Sequence, residues 1–270
     1  MRQAGIILLC SLLASGATLP RHGPVPVEKP ENSSEPIPAP KPDGPTDNGS
    51  SATGKMESGR DLPPGWKDDA LDAMPPAIVE IEKEDPTAYA SCLDALRTLG
   101  ASFTEAARID DGQGCGIDKP IEVTEILPGV SLKPQGTMRC ETALALARWI
   151  RETAAPAAKA AFGPDTAIAT LNQASSYVCR LRNNGTTGKI SEHARGNAID
   201  IASFGLKDGK TIDIQPRDED GTLNGAFQRA ITATACLYFT TVLDPGSDAA
   251  HETHLHFDVI DRKNGYRYCR

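Results

Sequence analysis

Residues 191–200 read SEHARGNAID, a stretch that places a histidine and an aspartate seven positions apart. Between His193 and Asp200 stands Gly196, a residue that favours tight turns because it has no Cβ. The apolar residues around Asp200 then predict the start of a strand. This stretch therefore predicts a turn that delivers two potential metal ligands to the beginning of a strand.

A second stretch, HETHLHFD at residues 251–258, predicts another strand. Successive side chains of a strand point to opposite faces, so His254, His256 and Asp258 would share one face. Leu255 and Phe257 would point to the other face and fill the core. Two imidazoles are therefore expected to face the same space.

Four of the five histidines in the chain fall in these two stretches, which favours a site over isolated structural histidines. Two imidazoles and one carboxylate form the ligand set of a catalytic zinc that keeps one position for water. His193, Asp200 and one histidine of the second stretch can supply that set, and the remaining histidine could act as general base. A non-haem iron site uses the same ligand types, but an exported protein lacks a ready supply of reductant, which favours zinc.

Residues flanking the histidines have weaker assignments. Asp258 is either the group that orients a ligand histidine or a carboxylate that caps the turn after the strand. His251 and Glu252 precede the strand and are expected at the rim of the pocket, not among the ligands.

The rest of the chain predicts an α+β fold with an antiparallel sheet and packed helices. Helical spacing of apolar residues covers 87–99, ending at Gly100, and 137–162, where Pro156 is expected to end or kink the helix. Further segments are predicted as strands at 167–171, 176–181, 198–204, 211–214 and 255–260, and as a helix at 224–243. Because helices come first and most strands later, an alternating parallel β–α–β fold is disfavoured.

The N-terminus predicts export. Residues 1–19 combine Arg2, an apolar run and a small-residue cleavage site, as a signal peptide does; a short membrane anchor is the alternative. Residues 20–65 are rich in proline and lack aromatic residues, which predicts a disordered tether. The folded domain is expected at 66–270, in the periplasm or secreted, with no stable membrane insertion once the signal is removed.

Six cysteines remain if the signal, with its Cys10, is removed, and an even number in an exported chain favours three disulfides. The candidates are Cys92, Cys115, Cys140, Cys179, Cys236 and Cys269. Fifteen pairings are possible for six cysteines, and Cys92 with Cys115 is the expected one because it closes a short loop. A cysteine zinc cluster is disfavoured, since the usual Cys-x2-Cys spacing is missing.

The charge balance disfavours nucleic acid as a partner. The chain carries 28 Lys and Arg against 36 Asp and Glu, giving a net charge of -8 at pH 7. Phosphate backbones require the opposite sign.

Taken together, Ser191-x-His193-x2-Gly196-x-Ala198-x-Asp200 and His254-x-His256 resemble the signature of the zinc peptidases grouped with lysostaphin, the D-alanyl-D-alanine carboxypeptidases and the hedgehog signalling domain. More closely, the chain is similar to the bacterial extensin-like C-terminal domain family, which shares SEHA-x3-AIDI, YFTTVL-x-PGSD and H-x2-HLHFD. The resemblance covers about two-thirds of the chain, from the first of the six cysteines to the last, and implies the hedgehog and DD-peptidase type of fold.

The same resemblance implies roles for individual residues. His193, Asp200 and His256 would bind Zn²⁺. His254 would be the catalytic base, because Thr253 stands where related carboxypeptidases have a glutamate.

A substrate- or oxyanion-binding arginine is implied as well, and Arg180 and Arg195 are the two candidates. The implied function is an exported zinc peptidase acting on peptidoglycan peptides. The alternative is a non-catalytic, zinc-stabilised binding domain, as the hedgehog domain exemplifies. A plant-extensin-like structural role has little support, since the tether lacks a regular Ser-Pro repeat.

Overall fold

A computed structural model describes residues 80–270. The predicted signal peptide (1–19), the predicted tether (20–65) and the predicted start of the domain at residue 66 lie outside the described residues. Within residues 80–270, no helix is both long enough and apolar enough to cross a membrane.

Four α-helices and eleven strands make up the described part of the chain. The helices are α1 (Pro86–Leu99), α2 (Cys140–Trp149), α3 (Ala155–Phe162) and α4 (Leu223–Ala235). The strands are β1 (Ser102–Glu105), β2 (Ile109–Gly112), β3 (Cys115–Ile117), β4 (Ile121–Leu127), β5 (Val130–Met138), β6 (Ile168–Ser175), β7 (Ala198–Leu206), β8 (Thr211–Asp213), β9 (Thr241–Leu243), β10 (Leu255–Asp258) and β11 (Tyr268–Cys269).

Nine of these strands form one mixed sheet in the order β1-β4-β5-β6-β7-β10-β9-β11, with β8 also paired to β7. Most neighbours are antiparallel, while β5–β6 and β9–β11 are parallel. Strands β2 and β3 form a separate hairpin. The α+β class is confirmed, but the expected order of helices first and strands later is wrong, because five strands precede α2.

Helix α1 confirms its predicted boundaries to within one residue. The Asp85 carboxylate accepts hydrogen bonds from the Thr87 and Ala88 backbone N–H groups and so caps the first turn. Gly100 ends the helix in the left-handed conformation, with φ of 80°.

The second helix begins later than predicted. Thr137 and Met138 belong to β5, where Thr137 pairs with Glu122, and the helix begins at Cys140. The kink expected near Pro156 takes the form of a π-helical turn at Ile150–Ala154, between α2 and α3.

The predicted helix at 224–243 is too long. It ends at Ala235, and after a turn at 236–238 and the buried Phe239 the chain pairs with β10 as β9. The β-branched run from Thr240 to Val242 favours this extended conformation.

The predicted strand at 176–181 is wrong in all but its last residue. Only Leu181 makes a β-bridge, to Ile190. The preceding residues follow an irregular path, tied to β5 by a hydrogen bond from the Tyr177 backbone N–H to the Thr137 carbonyl.

The helices cover one face of the sheet and enclose the core there. Trp149 of α2 is fully buried, with its ring centroid 4.9 Å from that of Phe257 on β10. Phe239 stacks on the same Phe257 ring at 4.7 Å. The centre of the sheet is therefore fixed by aromatic packing on its inner face.

Three disulfides link the described cysteines, as Cys92–Cys140, Cys115–Cys179 and Cys236–Cys269. The predicted Cys92–Cys115 pair is wrong. Helix α1 packs against α2, which brings Cys92 to Cys140, whereas Cys115 on the β2–β3 hairpin meets the irregular segment that follows β6. Tertiary packing thus outweighs nearness in sequence.

Candidate metal centre

Antiparallel pairing of β7 with β10 places Asp200 directly opposite His256. Asp200 Oδ1 lies 2.9 Å from His256 Nδ1 and 3.1 Å from His193 Nε2. The two imidazole nitrogens are 3.1 Å apart. The triad formed by these three residues is buried, with exposed fractions of 0% for His193, 3% for Asp200 and 8% for His256.

A short 3₁₀ turn, Glu192–Arg195, carries His193 to this point. The Ser191 hydroxyl accepts a hydrogen bond from the His193 backbone N–H at the start of the turn. Gly196 ends it with φ of 70°, and a Cβ there would collide with the Ile117 side chain. The predicted turn glycine is therefore required by both its conformation and its close packing.

The outer nitrogens of both triad histidines have partners that orient the rings. His193 Nδ1 donates to the Ser176 carbonyl at 2.8 Å, which leaves Nε2 as the nitrogen facing Asp200. His256 Nε2 lies 3.4 Å from Asp258 Oδ2. Asp258 Oδ1 also accepts from the Ile260 backbone N–H, so this carboxylate contacts both the His256 ring and the turn after the strand.

The electrostatics of the triad favour an anion at Asp200. Burial raises the pKa of Asp200, but hydrogen bonds with His193 and His256 outweigh it and hold the pKa well below its ordinary value. Burial lowers the pKa of His256, whereas its bonds to Asp200 and Asp258 raise it to about 9. Without a metal, a proton on His256 thus neutralises the carboxylate.

The donor atoms of the triad fit a metal ion. His193 Nε2, Asp200 Oδ1 and His256 Nδ1 lie within 4.8 Å of one another. Donors about 2.0–2.2 Å from a tetrahedral zinc are about 3.3–3.6 Å apart, so binding requires only small outward shifts. A cation would replace the proton between these atoms, because ligand histidines must be neutral on the bound side.

His254 lies beside the triad, with Nε2 3.7 Å from Asp200 Oδ1. Burial lowers the pKa of His254, against the opposing effect of the Asp200 charge. A neutral imidazole with a lone pair can accept a proton, which is the chemistry predicted for this residue.

His251 is more deeply buried, and closer to the other histidines, than expected for a residue at the pocket rim. It is buried, its Nδ1 lies 2.7 Å from Asp248 Oδ1, and its ring lies against those of His254 and His256. Asp248 was not predicted, although an aspartate three positions before a histidine is a recognisable signal for such a pair. Glu252 is exposed.

The two candidate arginines have different locations. Arg180 Nη2 lies 4.0 Å from Asp200 Oδ2, at the edge of the triad. Arg195 instead lines a small cavity with Ile81 and Arg139, and no residue of the triad lines that cavity. The structure therefore favours Arg180 as the arginine near the site.

Next to the triad is a cavity of about 140 Å³. His193 and His256 form part of its wall, together with Arg180 and two arginines that sequence reasoning missed, Arg182 and Arg262. Neither arginine is part of a motif. Because the two are far apart in sequence, the sequence does not indicate that they line the same cavity.

Comparison of this chain with curated proteins and with solved structures found no match. A match was found to the family described as "Extensin-like protein C-terminus", over residues 90–270. This range is more than half of the chain and contains every residue of the triad and all three disulfides, so the protein belongs to the extensin-like C-terminal family.

Proposed function

We propose that this protein is an exported zinc peptidase that hydrolyses peptide bonds of peptidoglycan. The observation that carries the proposal is the buried triad, in which one carboxylate oxygen and two imidazole nitrogens converge. Its chemistry is that of the mononuclear zinc peptidases whose signature the chain resembles. The fold proposed is the hedgehog and DD-peptidase type.

His193, Asp200 and His256 would hold the zinc ion. Bound zinc lowers the pKa of water and polarises a carbonyl group. The Ser176 carbonyl and Asp258 keep the two imidazoles in the orientation that binding needs, since each accepts a hydrogen bond from an outer ring nitrogen.

His254 would accept the proton of the attacking water and return it to the leaving amine. Its lowered pKa leaves the imidazole neutral near pH 7, as a base must be. Arg180, at the edge of the triad, would stabilise negative charge that develops on the substrate carbonyl.

The three disulfides support an oxidising compartment, consistent with a periplasmic or secreted location. One of them, Cys115–Cys179, anchors the segment that supplies both the Ser176 carbonyl and Arg180. The geometry of the proposed site therefore depends on a disulfide that forms only in an oxidising compartment.

A non-catalytic zinc-binding domain is the second candidate. It is favoured by Thr253, which is exposed and stands where related carboxypeptidases have their glutamate base. Under this alternative the triad would hold a structural ion, and the domain would bind wall peptides or a protein.

Mass spectrometry of muropeptides separates the two functions. Purified peptidoglycan is incubated with the zinc-loaded protein, with a chelated sample as control. New peptide fragments that require the metal would establish the enzyme and identify the bond. Intact substrate, with one zinc per chain confirmed by elemental analysis, would favour the binding domain.

A further inference from the structure

The cavity beside the triad is lined by three arginines, Arg180, Arg182 and Arg262. Arg180 and Arg182 come from the segment between β6 and β7, and Arg262 follows β10. Two carboxylates, those of Glu192 and Asp258, line the same cavity. The lining itself therefore carries three guanidinium groups and two carboxylates, and Arg180 also lies 4.0 Å from the Asp200 carboxylate of the triad.

Both carboxylates are already committed within the protein. Glu192 Oε1 accepts from Arg182 Nη2 at 3.1 Å, and Glu192 Oε2 accepts from Asn197 Nδ2 at 3.0 Å. Asp258 accepts from the Ile260 backbone N–H and faces His256. Neither carboxylate is therefore available to neutralise the guanidinium group of Arg180 or Arg262.

The arginines, in contrast, have donors to spare. Each guanidinium has five N–H donors. Among the described residues, Arg182 uses its side chain to reach Glu192, and Arg262 donates to the Thr240 carbonyl and the Thr241 hydroxyl at 2.7 and 2.6 Å. Donors from several guanidinium groups around one cavity bind acceptor oxygens that carry negative charge most strongly.

We propose that this cavity binds a carboxylate of the peptide substrate, and that Arg182 and Arg262 are the residues that recognise it. The inference rests on the proposed peptidase function and specifies its substrate as a peptide with a carboxylate close to the bond that is cleaved. Two sources share this chemistry: the C-terminal carboxylate of a chain and the carboxylate of an acidic side chain.

Arg182 and Arg262 differ in how firmly they are held. The Arg182 side chain is 49% exposed, and a glutamine in its place keeps an N–H donor for the buried Glu192, so Arg182→Gln should spare the fold. Arg262 holds two residues of the segment around β9 through its hydrogen bonds, so its removal could also disturb the sheet. Arg182 is therefore the better position for a decisive variant.

Binding can be measured without turnover by NMR titration of the full chain in the presence of chelator, so that a bound metal does not attract the ligand. The probes are N-acetyl-D-alanine, N-acetyl-D-alaninamide, and the α-amide of N-acetyl-D-glutamic acid. We expect at least one of the two acids to bind about tenfold more tightly than the neutral amide. The acid that binds better identifies the source of the carboxylate.

Arg182→Gln should reduce binding of the preferred acid about tenfold, and Arg262→Lys should reduce it less because it keeps the charge. Arg151→Gln is the matched control, since Arg151 is an exposed arginine on the π-helical turn. Equal affinity for acid and amide, or unchanged affinity in Arg182→Gln, would overturn the inference. Failure of peptidoglycan cleavage would leave this binding result intact and contradict only the peptidase function.

Discussion

Successive residue pairs of β7 and β10 lie on opposite faces of the sheet, one apolar and one polar. On the inner face, Ile199 pairs with Phe257 in the apolar core; on the outer face, Asp200 pairs with His256 in the triad. The inner face is stabilised by buried apolar area and aromatic contact. The outer face buries a charge and depends on partners for every polar atom. The same strand pairing thus provides a rigid apolar support on one face and, on the other, a buried Asp200 carboxylate whose charge must be neutralised by a proton or a metal.

Substitution of Phe257 by alanine should give the largest effect on the inner face. The ring contacts Trp149 and Phe239, and its loss leaves a cavity in the core, which should lower the free energy of unfolding by about 3–5 kcal/mol. Denaturant unfolding measures this loss. Val259→Ala, at a half-buried position beside the same core, should cost much less. Similar losses in both variants would show that the aromatic contacts of Phe257 do not dominate the stability of the inner face.

On the outer face, His254→Ala should reduce turnover about 10²–10⁴-fold while zinc stays bound, because His254 is proposed as a base and not a ligand. His256→Ala should instead lose the metal. Zinc per chain, measured by elemental analysis, and cleavage of peptidoglycan distinguish the two variants. If His254→Ala lost zinc and His256→Ala retained it, the assignment of the ligands would be reversed.

Asp258→Asn should weaken zinc binding about tenfold, since Asp258 is not itself a proposed ligand and acts on the site by orienting His256 through the outer ring nitrogen. Competition with a chromophoric chelator measures the affinity. Asp261→Asn, at an exposed position near the same turn, provides the control. An unchanged affinity in Asp258→Asn would mean that packing alone holds the His256 ring.

Removal of the metal should have the smallest effect on the inner face. Trp149 and its aromatic neighbours are held by the core, so near-ultraviolet circular dichroism should be nearly unchanged after chelation. The melting temperature should fall only by the amount that linkage to metal binding provides. Loss of the aromatic signal on chelation would show that the two faces are coupled and would favour a structural zinc site.

The sequence predicts which residues meet on the outer face of β7 and β10 better than it predicts the other strands of the sheet. Strand alternation places His256 and Asp258 together, and the glycine at 196 indicates the turn before Asp200. Strands β1 to β5 were not predicted. Strands β1 to β3 are only three or four residues long and gain their conformation from neighbours that are distant in sequence, and β5 contains Pro134 and Gly136, which disfavour a strand. The pairing of Cys92 and the position of Arg262 depend on the same long-range packing.

Two of the disulfides are interleaved in sequence, since Cys115 lies inside the loop closed by Cys92–Cys140, and Cys140 lies inside the loop closed by Cys115–Cys179. A single proteolytic cut anywhere between residues 92 and 179 therefore leaves the chain in one covalent piece. The segment from 179 to 236 has no such protection, and it contains the exposed loop at 185–189 as well as His193 and Asp200. A nick in that loop would release a fragment on a non-reducing gel, and it would separate Arg180 and Arg182 from the triad and from Arg262.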